Sequence, residues 1–205
     1  MILWCYITRI MLSGRSPATA IIKGCGVDKL LTLSAHSSHV KPKTQEDYYL
    51  ENEAHPEIMK YVGLSPGAFG GRMELIAREW LDLDPRQDSG HDHSKNGKTI
   101  EQKSSRYTAK GGGWMWQHIE LKHEWDYLLI CGLNFNNIQF YISPRSKIED
   151  LVKLGVITGQ GKKNSDGVAS AQQAYWFSKK NFTKKNIEFS DYFQEINSAQ
   201  DLIDI

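Results

Sequence analysis

Asp92, Glu101 and Lys103 are the residues whose types and spacing point most directly to chemistry. They lie in the stretch HDHSKNGKTIEQKSSR, where two short strand-like arms flank Asn96-Gly97. Asn-Gly is a strong hairpin signal because both residues tolerate the positive φ of a type I′ turn. Counting outward from the turn sets Lys95 against Lys98, His93 against Ile100 and Asp92 against Glu101. Directly opposed residues of an antiparallel pair share a face, with Cβ atoms about 5 Å apart. Strand alternation then places Lys103 on the face of Glu101 and Gln102 on the other. Two carboxylates and an ammonium are therefore expected to converge on one patch.

Two opposed carboxylates repel unless something neutralises them, and a hard divalent cation held by oxygen is the usual solution. Mg²⁺ answers that description: it keeps several waters, lowers their pKa and stabilises charge on a phosphate under in-line attack. A lysine on the same face can orient or help deprotonate the attacking water, or support the pentavalent charge. The three residues together point to Mg²⁺-dependent phosphodiester hydrolysis. Glu-x-Lys alone is common on solvated hairpin arms. The opposed aspartate, the register set by Asn96-Gly97 and the apolar strands that follow distinguish this instance.

The elements that must position these residues can be read around them. Phe69, Met73, Ile76, Ala77 and Trp80 recur at three- and four-residue intervals, which predicts a helix ending near Asp84-Pro85. WMWQHI reads as a strand, and IQFYI as another after Asn136-Asn137. The unbroken apolar run Tyr127 to Leu133 predicts a strand buried on both faces, hence an α/β fold with helices on both sides of a central sheet. SKIEDLVKLG predicts a helix with Ser146 as N-cap, Glu149 at the capping-box position and Gly155 at its end. The stretch VITGQGKKNSDGVASAQQAYW is expected to be a long loop, and the last residues short helices. Residues 1–60 form an N-terminal segment, read as a small helical extension, and 61–205 the domain that carries the site.

The bulk properties narrow the setting. A chain of 205 residues with 40% hydrophobic and 24% charged residues is that of a globular protein with one substantial core. Its net charge of +1 gives no long-range pull toward nucleic acid, so any such attraction must come from local clustering. One cluster stands out: Lys162, Lys163, Lys179, Lys180, Lys184 and Lys185, against the single acid Asp166. With Asn164, Gln172 and Gln173, side chains able to read base edges, it is the candidate DNA-recognition segment. Three cysteines without a CxxC pair suit a reducing cytoplasm. The apolar opening MILWCYITRIML is broken by Arg9 and is too short for a bilayer span, so no membrane partner is expected.

On HDHSKNGKTIEQKSSR, WMWQHI and HEWDYLLICGLNFNNIQFYI the chain resembles the PD-(D/E)XK nucleases, and among them the type II restriction endonucleases, over roughly residues 67 to 180. The resemblance implies a mixed central β-sheet in a restriction-endonuclease-like core. It makes Asp92 the metal-binding aspartate, Glu101 the second acidic ligand, Lys103 the lysine and the main-chain carbonyl of Gln102 a further ligand. Glu74, on the preceding helix, looks like the additional glutamate many members carry, with Glu79 competing for that role. His91 stands where the motif has proline. The implied activity is sequence-specific cleavage of double-stranded DNA to leave 5′-phosphates, by a homodimer or by a subunit paired with a specificity subunit. Ser104, Ser105, Arg106 and Lys110 are candidate phosphate contacts, and Gln117 and His118 candidate substrate contacts from a neighbouring strand, His118 serving equally as a core residue. Nucleases of DNA repair, recombination or phage share the same core. A ββα-metal site prompted by His91, Asp92, His93 and Asn96, and a DNA-binding module without catalysis, are the other readings.

Overall fold

The computed structural model describes residues 44–86, 89–108, 111–160, 174–203 and 205. Lys110, Lys162, Lys163, Asn164, Gln172, Gln173 and the chain before residue 44 lie outside the described residues. The helices are α1 (Gln45–Glu51), α2 (Pro56–Val62), α3 (Pro66–Leu81), α4 (Arg145–Lys153) and α5 (Lys179–Lys185). The strands are β1 (Asp84–Pro85), β2 (His93–Lys95), β3 (Lys98–Arg106), β4 (Met115–Glu120), β5 (Tyr127–Leu133), β6 (Ile138–Pro144), β7 (Thr158–Gly159), β8 (Ala174–Ser178) and β9 (Gln194–Ile196). The helix expected from the Phe69–Trp80 spacing is α3. Ser65 caps it through the Ala68 N–H, Pro66 occupies its first turn, and it stops at Asp82 in the left-handed region.

The fold is α/β, with a mixed central sheet of six strands in the order β1-β2-β3-β5-β6-β9. β3 and β5 run parallel and the other neighbours antiparallel. Side-chain alternation on β5 feeds two cores, as its continuous apolarity predicts. Leu129, Cys131 and Leu133 pack with Tyr49 of α1, Ile58 and Val62 of α2, and Met73 and Ala77 of α3. Leu128 and Ile130 pack on the opposite face with Ile148 and Leu151 of α4 and Phe182 of α5. Helices thus flank both faces. α1 precedes residue 61 and α2 spans it, and both belong to the same compact unit, Lys43–Ile205.

The second face also carries a sheet of its own, in the order β4-β8-β7. WMWQHI is a strand of this smaller sheet. Its tryptophans are packing residues: Trp114 and Trp116 donate their indole N–H to the Leu133 and Cys131 carbonyls, both at 2.9 Å. Gly132 makes room for this, since a Cβ there would stand 2.7 Å from the Trp114 ring.

Two sequence expectations are corrected. α4 starts at Arg145 after Pro144, with no side-chain cap, so Ser146 is not its N-cap. Glu149 instead accepts from Arg145 Nε at 2.9 Å. The final residues do form two short 3-10 helices, Phe189–Asp191 and Ala199–Leu202, but a strand not expected from the sequence, β9, separates them on the edge of the central sheet. Among the described residues no helix is long and apolar enough to cross a membrane.

Candidate active site

Asn96 and Gly97 have φ of 52° and 76°, as a type I′ hairpin requires. The ladder pairs Lys95 with Lys98, Ser94 with Thr99 and His93 with Ile100, the register expected from the turn. One step further the expectation fails. Asp92 is not paired with Glu101: its N–H donates to the Ile100 carbonyl at 3.0 Å, so Asp92 and His93 both stand against Ile100. Two residues against one is the arrangement of a β-bulge, which re-aims a side chain. Here the Asp92 carboxylate turns toward β3 and accepts the backbone N–H of Gln102 at 2.8 Å.

β2 pairs with β3 only as far as Ile100, whereas β3 continues to Arg106. The N–H and C=O of one strand residue point to the same side. The Gln102 carbonyl therefore opens on the edge where its N–H meets Asp92.

Glu101 and Lys103 lie in register with Leu128 and Ile130, and so share the face of the second core. Lys103 Nζ donates to Glu101 Oε1 at 2.5 Å. The Glu101 side chain is only 7% exposed and that of Lys103 22%. Burial raises the Glu101 carboxyl above its ordinary pKa; Lys103 opposes this, and the negative charge of Asp92 adds to it. Glu74 of α3 is raised in the same way, first by its half-burial, then by Asp92, with Lys103 opposing. It thus lies within the field of the same two residues, while Glu79 is exposed. Asp92, Glu101, Lys103, Gln102 and Glu74 are brought to one end of the β2–β3 hairpin.

Among the described residues no group of three or more His, Cys, Asp and Glu side chains could by itself hold a metal ion. The donors at the β3 edge are two carboxylates and a carbonyl. Such a set suits Mg²⁺, which takes hard oxygen ligands, often only one or two carboxylates, and keeps several waters. It lacks the thiolates and imidazoles of a zinc centre. Burial, with a smaller part from Asp92, raises Glu101, and Lys103 opposes that rise as a bound cation would.

Of the remaining candidates, Ser104, Ser105 and Arg106 are engaged within the fold. Ser104 Oγ accepts from Gln102 Nε2 at 3.2 Å. Ser105 Oγ accepts the Met115 N–H and donates to the Arg106 carbonyl. The Arg106 guanidinium donates to the Tyr61 and Leu64 carbonyls and lies 3.9 Å from the centre of the Phe69 ring. Gln117 and His118 sit at an irregularity of β4, both exposed, so His118 is not a core residue. Gln160 joins them, donating to Gln117 Oε1 and accepting the His118 N–H. In the basic cluster, Lys179 is half-buried, donates to the Tyr141 hydroxyl at 3.1 Å and stands 4.5 Å from the Phe189 ring. Lys180, Lys184 and Lys185 are exposed.

Two features escaped the sequence reading. An open cleft of about 910 Å³ borders the hairpin, lined among others by Gly90, His91, Thr99, His123, Asp126 and Arg145. Its wall is braced by Arg145, whose guanidinium donates to the His123 and Leu121 carbonyls. The second is a buried chain behind β3: His93 Nε2 meets Gln102 Oε1 at 2.8 Å, with His93 fully buried and its pKa lowered mainly by that burial. No family model matches the chain, and it matches no curated protein.

Proposed function

We propose that this chain is a Mg²⁺-dependent endodeoxyribonuclease of the PD-(D/E)XK type, hydrolysing phosphodiester bonds in double-stranded DNA. The observation that carries the reading is the Asp92 carboxylate held on the Gln102 N–H at the open edge of β3, between the paired Glu101 and Lys103, and near enough to Glu101 to raise its pKa. Asp92, Glu101 and the Gln102 carbonyl would hold the ion, with Glu74 behind them. Mg²⁺ there would supply Lewis-acid polarisation of the scissile phosphate and activation of a water.

The chain's own groups do the rest. The bulge aims Asp92 at β3, and its hydrogen bond to Gln102 holds the carboxylate before any ion binds, so little reorganisation is left for binding. Burial keeps competing water from Glu101. Lys103, held by Glu101, carries a positive charge to the place where the phosphate becomes more negative, and can orient the attacking water. Sequence-specific restriction in the cytoplasm is the setting proposed, by a homodimer or with a specificity subunit.

The test is the chemistry of the ends. Plasmid DNA cut by the purified chain with Mg²⁺ should religate with ligase without prior kinase treatment, which requires 5′-phosphates. Discrete fragments would support restriction, and random ones a repair, recombination or phage role on the same core. DNA binding with no cleavage under any divalent ion would leave a non-catalytic module.

A further inference from the structure

Gln102 is the residue between Glu101 and Lys103, and its side chain points away from theirs, to the α3 face of the sheet. It is 4% exposed, and His93 beside it is fully buried. The Gln102 amide nitrogen donates to Ser104 Oγ at 3.2 Å, which leaves the amide oxygen to face His93 Nε2 at 2.8 Å. An oxygen acceptor there requires the imidazole proton on Nε2. The other nitrogen, Nδ1, is buried without a partner among the described residues.

These hydrogen bonds lie where β3 is supported by β5 on one side only. Past Ile100 no described strand pairs with β3 on the β2 side. The peptide units around Gln102 therefore lack ladder bonds on that side, apart from the N–H taken by Asp92. Two side-chain hydrogen bonds hold the Gln102 side chain on the buried face, while the β5 ladder holds its backbone from the other side. Gln102 carries the carbonyl of this open edge and stands between Glu101 and Lys103. The buried polar groups are costly to keep, since an unmet imidazole nitrogen gives up solvation for nothing. Stability alone would be served as well by an apolar pair.

We propose that His93 and Gln102 are positioning residues: their buried hydrogen bond sets the metal-binding edge of β3. The proposal rests on the Mg²⁺ reading above.

The experiment is calorimetric titration of the full chain with Mg²⁺, alongside thermal melts, for wild type, His93→Leu, Gln102→Leu and the double variant. Each single change strands a buried polar partner, so melting temperature falls and Mg²⁺ binding weakens about 10- to 100-fold. The double variant removes both partners and recovers most of the melting temperature, while Mg²⁺ binding stays weak. Recovery of Mg²⁺ affinity together with stability overturns the proposal. His93→Gln keeps a donor for Gln102 Oε1 and should hold Mg²⁺ within about threefold of wild type. An affinity as weak as that of Gln102→Leu overturns the proposal even if the double variant does not fold. A wild-type chain that binds no Mg²⁺ removes the nuclease reading and this inference together, whereas affinity that merely tracks stability removes this inference alone.

Discussion

The Asp92 carboxylate accepts the Gln102 N–H at 2.8 Å, at the point where β2 stops and β3 runs on with β5 alone, its other side open. A side chain thereby occupies the place of the next main-chain acceptor in the ladder. This contact both ends the hairpin and presents a carboxylate beside Glu101 and Lys103.

Because an amide oxygen can accept the same hydrogen bond, Asp92→Asn separates the two roles. The variant should melt within a few degrees of wild type while DNA cleavage falls at least about a thousandfold, roughly 4 kcal/mol of transition-state stabilisation. Thermal melts and single-turnover cleavage of plasmid measure the two effects. A loss of stability that matches the loss of activity would reduce Asp92 to a strand cap.

Glu101 and Glu74 both have folded pKa values raised above the ordinary carboxylate value, chiefly by burial. Such a group takes up protons on folding, so its contribution to stability is present at low pH and lost as pH rises through the raised folded value. Melts of the metal-free protein from about pH 5 to about pH 8 should show this fall, and Glu101→Gln should flatten it. Mg²⁺ binds the ionised form and should restore stability at the upper end. A Glu101→Gln curve parallel to that of wild type would contradict the assignment.

Much of this site was legible in the sequence, and the parts that were not share a cause. Asn96-Gly97 predicts the register through His93↔Ile100 because turn type and strand period together determine it. The bulge at Asp92 is invisible to that argument, since one inserted residue leaves local composition unchanged. α3 follows from its apolar spacing, whereas the start of α4 depends on Arg145, whose partners Leu121 and His123 are distant in the chain. Ser105 and Arg106 read as surface groups for the same reason: Met115, Tyr61 and Leu64 meet them only in the folded chain.

Arg106 should matter to stability more than to DNA affinity. Its planar fork serves two carbonyls while lying over Phe69, a geometry that lysine cannot reproduce. Arg106→Lys should cost about 2 kcal/mol in a denaturant melt, with DNA affinity per folded molecule unchanged. A variant of wild-type stability with weakened DNA binding would restore the phosphate-contact role.

Gly132→Ala places a methyl group against the Trp114 ring, at 2.7 Å where no real Cβ contact is found. Displacing that ring strains its bond to the Leu133 carbonyl, so a loss of about 1–3 kcal/mol is expected, as for overpacked cores. Shifted tryptophan fluorescence and a lower denaturation midpoint would register it. An unchanged midpoint would show that the ring moves freely.

The most direct measurement of the central account is the rate at which supercoiled plasmid is lost in parallel reactions containing Mg²⁺ or EDTA. The proteins compared are wild type, Asp92→Asn and Lys103→Ala. Cleavage by wild type with Mg²⁺ alone, and by neither variant, is the predicted result. Equal cleavage by wild type and Lys103→Ala, or none by a folded wild-type chain that binds DNA, would contradict it.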